Sequence, residues 1–261
     1  MEVVITATPD EAALRAADAI EHLLRTSTRP VLGLATGSSP LPTYRALIER
    51  HARDGLSFAA ARAFLLDEYV GLATDHPRSY RSFIRREFTD HVDLPADALY
   101  GPDGAADDLD EAGRSYERQI AECGGIDLQL LGIGSDGHIG FNEPTSSLSS
   151  RTRLKTLTSA TRIDNARFFD DDVESVPRHV LTQGIGTILD ARHLVLIATG
   201  GSKAAPIALA VEGPLTAMVP ASALQLHPHA TVILDAPAAA ELRLADYYRE
   251  TYDNKPDGQR I

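Results

Sequence analysis

The chain has 261 residues, of which 43% are hydrophobic and 24% are charged, and its net charge of -12 argues against a nucleic-acid-binding surface. Its single cysteine, Cys123, excludes an intramolecular disulfide and a cysteine-based zinc site. The N-terminus lacks the basic start and apolar core of a signal peptide, and no apolar run is long enough to cross a membrane, so we expect a cytoplasmic protein without a membrane partner.

The chain begins with a predicted strand over residues 3–5 and a predicted helix. Thr8 is expected to be the N-cap of this helix, with Pro9 at the first helical position and Glu11 closing a capping box. Four residues at helical spacing predict its apolar face: Leu14, Ala17, Ile20 and Leu24. The next run, residues 31–35, is wholly apolar, which is typical of a parallel strand covered on both faces.

Two turns that follow predicted strands share the sequence Ala-Thr-Gly. One follows residues 31–35 and contains Ser38 and Ser39; the other follows residues 194–198 and contains Lys203. Backbone N–H groups at a helix start bind anions, and small residues let a phosphate approach. A single turn of this kind is more often a plain connection, and a lysine there is often a solvated side chain. Their recurrence favours one phosphate clamped by two turns on neighbouring strands.

A carboxylate is predicted at the end of another strand. Residues 63–66 are apolar and lead directly into Asp67. Asp67 is therefore expected at the carboxyl end of the strand, where α/β proteins bind their ligands. A turn or capping aspartate is the commoner use of such a residue.

The segment from Gly132 to Pro144 carries the densest chemistry, and a predicted buried strand over residues 126–131 precedes it. It contains Asp136, His138 and Glu143 among glycines that suit a tight loop close to a ligand. A carboxylate beside a histidine fixes its tautomer and favours proton transfer near neutral pH.

Two alternatives remain for this segment. A divalent metal held by Asp136, His138 and Glu143 ranks below acid–base chemistry because no further ligand pair accompanies them. The other alternative is a turn-capping aspartate beside a buried histidine.

The last third of the chain contains a basic cluster and the final elements. Arg151, Arg153 and Lys155 indicate either a second anion site or a solvated strand face. Residues 161–169 predict a short helix with two arginines, and residues 230–234 predict a last strand. A terminal helix is expected from Pro237 to about Tyr252, followed by a polar tail over 253–261 that frays. The whole predicts one α/β domain: a mostly parallel sheet with helices on both faces.

Three motifs resemble those of the glucosamine-6-phosphate deaminase family, within the glucosamine/galactosamine-6-phosphate isomerases. They are LDEYVGL at 66–72, GSDGHIGFNEP at 134–144 and SSRTRLKTL at 149–157. The resemblance is collinear from about Leu32 to Leu242. It implies a Rossmann-like fold, with the deaminase/isomerase domain over 1–252. It also implies conversion of glucosamine 6-phosphate and water to fructose 6-phosphate and ammonia, a hydrolase-class reaction without organic cofactor or metal.

The same resemblance implies roles for individual residues. Asp67 would be the base that takes the C2 proton and returns it at C1. His138 would assist ring opening, in a triad with Asp136 and Glu143. The substrate phosphate would be bound by Ser38, Ser39, Arg167 and Lys203, with Arg167 on a lid.

Some members of this family are homo-oligomers activated by N-acetylglucosamine 6-phosphate. The resemblance implies that Ser146, Arg153 and Lys155 would bind the activator's phosphate at a subunit interface.

Two competing functions differ in the residues they require. A 6-phosphogluconolactonase would share the Asp-Gly-His loop but lack residues 67–71 and 141–144 as they stand here. A sugar-phosphate sensor of repressor type would need a DNA-binding element, and no helix-turn-helix segment precedes Val3.

Overall fold

Seven parallel strands form the central sheet of the protein, seen in a computed structural model that describes residues 1–256. Ten strands lie within the described residues, and seven of them make up this sheet. In chain order the ten are β1 (Glu2–Thr6), β2 (Val31–Leu34), β3 (Arg62–Leu65), β4 (Asp67–Tyr69), β5 (Leu99–Tyr100), β6 (Leu128–Leu131), β7 (Arg153–Thr156), β8 (His179–Thr182), β9 (His193–Ala198) and β10 (Ala230–Asp235). The order in the central sheet is β1-β10-β9-β6-β2-β3-β5, and every pairing is parallel.

Eight α-helices connect and cover these strands. They are α1 (Pro9–Thr26), α2 (Leu41–Asp54), α3 (Tyr80–Glu87), α4 (Leu109–Glu122), α5 (Ser159–Asn165), α6 (Ile185–Leu189), α7 (Ala204–Glu212) and α8 (Ala245–Asp253) within residues 1–256. None of the helices in this part of the chain has the length and apolar character to span a bilayer.

The apolar side chains of the central strands alternate between two cores. On β9, Leu194 and Leu196 share a core with α4 and α7, whereas Val195 and Ile197 share the opposite core with α1 and α2. A strand covered on both faces must be apolar throughout, which is the pattern that the sequence showed. The predicted mostly parallel sheet with helices on both faces, in a single domain, is therefore confirmed.

A second sheet of three antiparallel strands, in the order β4-β8-β7, lies beside the central one and was not predicted. Only Leu66 separates β3 in the central sheet from β4, which begins at Asp67. The chain thus changes sheets at the predicted carboxylate. A third core, rich in aromatic rings, includes Tyr69 of this small sheet together with Tyr80 and Phe141.

The start of α1 largely follows the prediction. Thr8 Oγ1 accepts a hydrogen bond from Glu11 N–H at 3.2 Å, but the Glu11 carboxylate reaches the N–H of Ala7 rather than that of the N-cap. Leu14 does not belong to the buried face, because 47% of it is exposed. Alanines take that face instead and let α1 pack closely on the sheet.

The predicted terminal helix begins later than expected, at Ala245 rather than Pro237. The chain first makes turns, and the buried Glu212 carboxylate at the end of α7 accepts the N–H groups of Arg243 and Leu244 at 2.9 Å each. This cap from another element holds the chain in turns up to the helix start. Residues 257–261 of the predicted polar tail, and with them most of its expected fraying, lie outside the described residues.

Candidate active site

The carboxyl ends of four adjacent strands, β9, β6, β2 and β3, open into one cleft of about 540 Å³. This size suits a small organic ligand, and its position is where open α/β sheets bind ligands. The two Ala-Thr-Gly turns both line the cleft, but they do not follow neighbouring strands, because β6 lies between β2 and β9. The loop after β6 therefore runs between the two turns.

The turn after β9 is shaped by a buried carboxylate that the sequence analysis missed. Asp235, at the end of β10, accepts the N–H of Gly200 at 3.0 Å and that of Ala238 at 2.9 Å. Gly200 has a φ of 88°, which favours glycine. Lys203 at the end of this turn donates from Nζ to the Ile133 carbonyl at 2.7 Å.

The cations predicted to bind phosphate lie at the same cleft. Burial, and then the nearby positive charge of Arg167, lower the pKa of Lys203. Arg167 is exposed in the turn after α5, with its guanidinium 4.8 Å from the Phe168 ring centre. Ser38 and Ser39 line the cleft from the turn after β2. All four predicted phosphate residues thus border one cavity.

Asp67 lines the cleft as a buried carboxylate, with only 4% of the residue exposed. Its Oδ1 has no hydrogen-bond partner among the described residues. Burial, and secondarily the negative charge of Glu68, raise the pKa of Asp67 well above its usual value. A carboxylate kept in this state is a stronger base than an exposed one once it has lost its proton.

The neighbouring carboxylate, Glu68, points elsewhere and has a different part. It accepts the backbone N–H groups of Tyr69, Tyr80 and Arg81 at 2.9–3.0 Å, which fixes the start of α3 beside β4. The pKa of Glu68 is raised by its burial, although these three donors oppose the effect. Of two adjacent acids, one is thus a structural acceptor, and the other lines the cleft and has a buried oxygen without a hydrogen-bond partner among residues 1–256.

His138 also lines the cleft, and Asp136 supports it. Asp136 Oδ1 lies 2.6 Å from His138 Nδ1 in ion-pair contact and accepts the main-chain N–H of His138 at 3.1 Å. Burial alone would raise the pKa of Asp136, but the His138 ring and backbone donors hold it below its usual value. The ring lies over Gly134, where a Cβ would be 2.2 Å from the His138 Cε1. The glycine therefore makes room for the imidazole.

Glu143, the third residue of the expected triad, is directed to a different element. Its Oε1 accepts from the hydroxyls of Thr161 and Thr158, the latter at 3.3 Å. Within residues 1–256, no hydrogen bond or ion pair joins Glu143 to His138. The structure brings two of the three predicted residues into contact. It also weakens the metal alternative, since no three potential ligands converge in the described part of the chain.

The residues expected to bind an activator lie on and near β7. Arg153 Nη1 donates to Asn142 Oδ1 at 2.9 Å, and Asn142 in turn donates to the carbonyls of Ile139 and Gln183. Arg153 thus contacts the loop that carries His138. Ser146 is buried and its hydroxyl has no hydrogen-bond partner in the described part of the chain, and Lys155 is half-buried.

Arg151, the other member of the basic cluster, is engaged elsewhere. Its guanidinium forms ion pairs with Glu117 at 2.5 Å and Asp190 at 2.6 Å. It therefore braces the surface between α4 and α6 and is separate from the three residues expected to bind an anion.

Two residues at the site escaped the sequence analysis. Thr161 lines the cleft and binds Glu143, although 18 residues separate them. Tyr80 also lines the cleft, and its hydroxyl donates to that of Tyr69 at 3.1 Å. The sequence held one signal for Thr161: Thr158 stands three residues before it as a helix N-cap, which predicts the start of α5.

Together the fold and the cleft define an α/β protein whose ligand site, at the carboxyl edge of its sheet, is lined by two cationic side chains, Arg167 and Lys203. A family profile described as glucosamine-6-phosphate isomerases/6-phosphogluconolactonase matches residues 6–233. The chain belongs to this family.

Similar proteins cover the whole chain. A glucosamine-6-phosphate deaminase of Streptomyces avermitilis is 58% identical over 261 residues, and one of an Arthrobacter species is 59% identical; each alignment covers 100% of both proteins. The solved structure of a monomeric glucosamine-6-phosphate deaminase superposes with a TM-score of 0.90 at 42% identity, covering 92% of this chain and 100% of that one. A 6-phosphogluconolactonase from Trypanosoma cruzi superposes with a TM-score of 0.73 at 22% identity over 93% of this chain and 97% of its own, a likeness of fold alone.

Proposed function

We propose that the protein is a glucosamine-6-phosphate deaminase, which converts glucosamine 6-phosphate and water to fructose 6-phosphate and ammonia. The observation that carries the proposal is the position of Asp67, a buried carboxylate that lines the cleft together with His138 and Lys203 and whose Oδ1 is unpaired within the described part of the chain. Relatives with 58–59% identity over the full length carry this name, which supports the same activity.

The first step is opening of the sugar ring by His138. A proton moves from the O1 hydroxyl to the ring oxygen O5, which leaves an aldehyde at C1. Asp136 lies against Nδ1 of His138, so the other ring nitrogen, Nε2, is the one left to exchange the proton with the sugar.

The second step is proton transfer from C2 to C1 by Asp67. The C1 aldehyde acidifies the C2 proton, and the Asp67 carboxylate removes it to give an enolamine. The same carboxyl then returns the proton to C1, while a proton passes from the amine nitrogen to O1, leaving an imine at C2 and a hydroxyl at C1. Burial raises the pKa of Asp67, so the carboxylate holds that proton well enough to carry it between the two carbons.

The last step is replacement of nitrogen by oxygen at C2. Water adds to the imine carbon, the resulting carbinolamine expels ammonia, and the C2 ketone of fructose 6-phosphate remains. One water is consumed for each ammonia released. The reaction can be called hydrolase-class because of this step.

The phosphate of the substrate would be held by Ser38, Ser39, Arg167 and Lys203. The two cations lie near enough for Arg167 to lower the pKa of Lys203, a repulsion that a bound dianion relieves. In an acidic protein, two cations directed at one cleft favour an anionic substrate.

A 6-phosphogluconolactonase is the second candidate, since the family includes that activity. Lactone hydrolysis needs a base near the ester carbonyl and makes no use of a second buried carboxylate such as Asp67. The 6-phosphogluconolactonase structures from Trypanosoma cruzi and Leishmania guyanensis are each 22% identical to this chain, so their likeness carries only the fold.

The experiment that tests the proposal supplies both substrates to the purified protein. We expect glucosamine 6-phosphate to yield ammonia and fructose 6-phosphate in equal amounts, and 6-phosphogluconolactone to disappear no faster than in buffer. Hydrolysis of the lactone, with neither product from the amino sugar, would reverse the assignment.

Other parts of the proposal concern assembly, activation and location. We propose that the protein forms homo-oligomers and is located in the cytoplasm. We also propose that N-acetylglucosamine 6-phosphate activates it by binding at Ser146, Arg153 and Lys155. The division into a domain over 1–252 and a tail over 253–261 also stays a proposal. The structural neighbour with a TM-score of 0.90 is described as monomeric, which makes the mass of the protein in solution the first measurement to take.

A further inference from the structure

Glu143 is a buried carboxylate that accepts hydrogen bonds from two threonines at the start of the short helix α5. Only 5% of Glu143 is exposed, and its Oε1 accepts from the hydroxyls of Thr158 and Thr161 and, at 3.5 Å, from the N–H of Thr158. A buried charge is costly unless donors satisfy it, so these contacts hold Glu143 where it is.

The donors belong to the wall of the cleft. Thr158 is the N-cap of α5, and its hydroxyl accepts the N–H of Thr161 at 3.2 Å. Thr161 is 5% exposed and lines the cleft, as does Arg167 in the turn that continues α5. One carboxylate oxygen therefore joins the wall that carries Arg167 to the loop that carries His138.

We propose that Thr161 is a positioning residue for the reaction, because its hydroxyl fixes Glu143 and thereby sets the acid–base loop against the cleft wall. The inference rests on the proposed deaminase activity and adds to it a residue that makes no chemical step of its own. Thr158 alone is a poorer anchor, because it is exposed, its contacts with Glu143 are at 3.3 and 3.5 Å, and its hydroxyl is already the helix cap.

The test compares Thr161→Val, which removes the hydroxyl at nearly constant volume, with Thr161→Ser, which keeps it. We expect kcat of the valine variant to fall by roughly 10-fold to 100-fold. This is the rate ratio that corresponds to the free energy of one hydrogen bond to a charged group. The KM for glucosamine 6-phosphate should change by less than about threefold, because the phosphate residues are untouched. The serine variant should recover most of the wild-type kcat.

A matched control is available in another buried threonine. Thr187 on α6 is 2% exposed and donates from its hydroxyl to Glu117 Oε1 at 2.6 Å, and neither residue lines the cleft. Thr187→Val loses the same kind of bond and should lower the melting temperature without changing kcat. Equal losses of kcat in Thr161→Val and Thr187→Val would mean that general destabilisation, not positioning, is responsible.

A double-mutant cycle with Glu143→Ala separates positioning from packing. If Thr161 acts through Glu143, Thr161→Val has little further effect on kcat once the carboxylate is gone. The same fold-loss in both backgrounds would overturn the proposal. Thr161→Ala replaces the valine variant in the cycle if the latter fails to fold. A wild-type protein that releases no ammonia overturns the proposed function as well, whereas an active wild type matched by Thr161→Val overturns this inference alone.

Discussion

Lys203 donates a hydrogen bond of 2.7 Å from Nζ to the main-chain carbonyl of Ile133, which ties the turn after β9 to the loop after β6. The ammonium group is half-buried beside Arg167, and both effects lower its pKa. In the proposed function, its position between two strand ends would let one charge serve both the substrate phosphate and the loop that carries His138.

Lys203→Met should therefore weaken substrate binding. We expect the KM for glucosamine 6-phosphate to rise by roughly 10-fold to 100-fold, the value of a hydrogen-bonded charge on a phosphate. Lys255→Met is the control, since Lys255 pairs with Glu2 at 2.6 Å and does not line the cleft. Initial-rate kinetics decide the matter, and an unchanged KM in Lys203→Met would remove the lysine from the phosphate site.

Gly134→Ala should disable ring opening by displacing His138. The added Cβ would meet the His138 Cε1 at 2.2 Å, so the imidazole has to leave its position beside Asp136. A misplacement of about 1 Å costs on the order of 100-fold in rate, and we expect kcat to fall by at least that factor. Thermal unfolding checks that the variant is folded. A folded variant with wild-type kcat would show that the observed ring position is not the active one.

Acid should destabilise the protein through a histidine stack far from the cleft. The rings of His193 and His229 lie 3.6 Å apart, and His193 Nε2 contacts Thr231 Oγ1 at 2.9 Å. Burial, then the charges of His229, His227 and Lys255, lower the pKa of His193 from 6.5 to about 3.

The direction of this effect follows from proton linkage. A histidine that is neutral in the folded state and binds a proton when unfolded contributes stability above pH 6.5, and that stability is lost as the pH falls toward 3. Melting temperatures measured between pH 7 and pH 4 should fall less steeply in His193→Gln than in the wild type. Exposed His22 gives the control, His22→Gln. Equal slopes in the wild type and His193→Gln would contradict the assignment.

Arg153 should be needed for any response to N-acetylglucosamine 6-phosphate. Its bond to Asn142 Oδ1 connects the expected anion site to the loop of His138. We expect the activator to lower the KM of the wild type and to have no effect on Arg153→Met. Arg151→Met is the matched control, because Arg151 pairs with Glu117 and Asp190 instead. Velocity curves with and without activator test this, and a wild type indifferent to the compound would end the activation proposal.

Much of the fold followed from sequence because the central strands are apolar throughout and helix caps are local signals. The cap of α1 at Thr8 and the strand before Asp67 are examples, and each depends on residues within a few positions. The prediction that Leu14 lies on the buried face of α1 was wrong. Helical spacing alone cannot show which side of a helix faces the sheet when the buried residues are mainly alanines. The late start of α8 depends on Glu212, a cap from another helix.

The site followed the same division between local and distant contacts. Asp136 and His138 are two residues apart, and their pairing was expected; Glu143 was expected to join them and instead binds Thr161. That contact depends on where α5 lies against the loop, which no local pattern records. Gly200 and Asp235 meet for a similar reason, since adjacent strand ends bring them together across 35 residues.

We propose that Asp67 moves the proton from C2 to C1, and the variant Asp67→Asn tests this role. The asparagine has nearly the same shape and removes a buried charge with an unpaired oxygen, so the variant should be at least as stable as the wild type. It cannot act as a base, and we expect kcat to fall by on the order of 10,000-fold, the upper range for loss of a general base.

The most direct measurement follows glucosamine 6-phosphate deuterated at C2 with the wild type and Asp67→Asn. We expect the wild type to form fructose 6-phosphate with a primary isotope effect and to carry part of the label to C1. Asp67→Asn should bind the substrate, leave the deuterium on C2 and release no ammonia above background. Ammonia release near the wild-type rate by a folded Asp67→Asn would show that a group other than Asp67 takes the C2 proton.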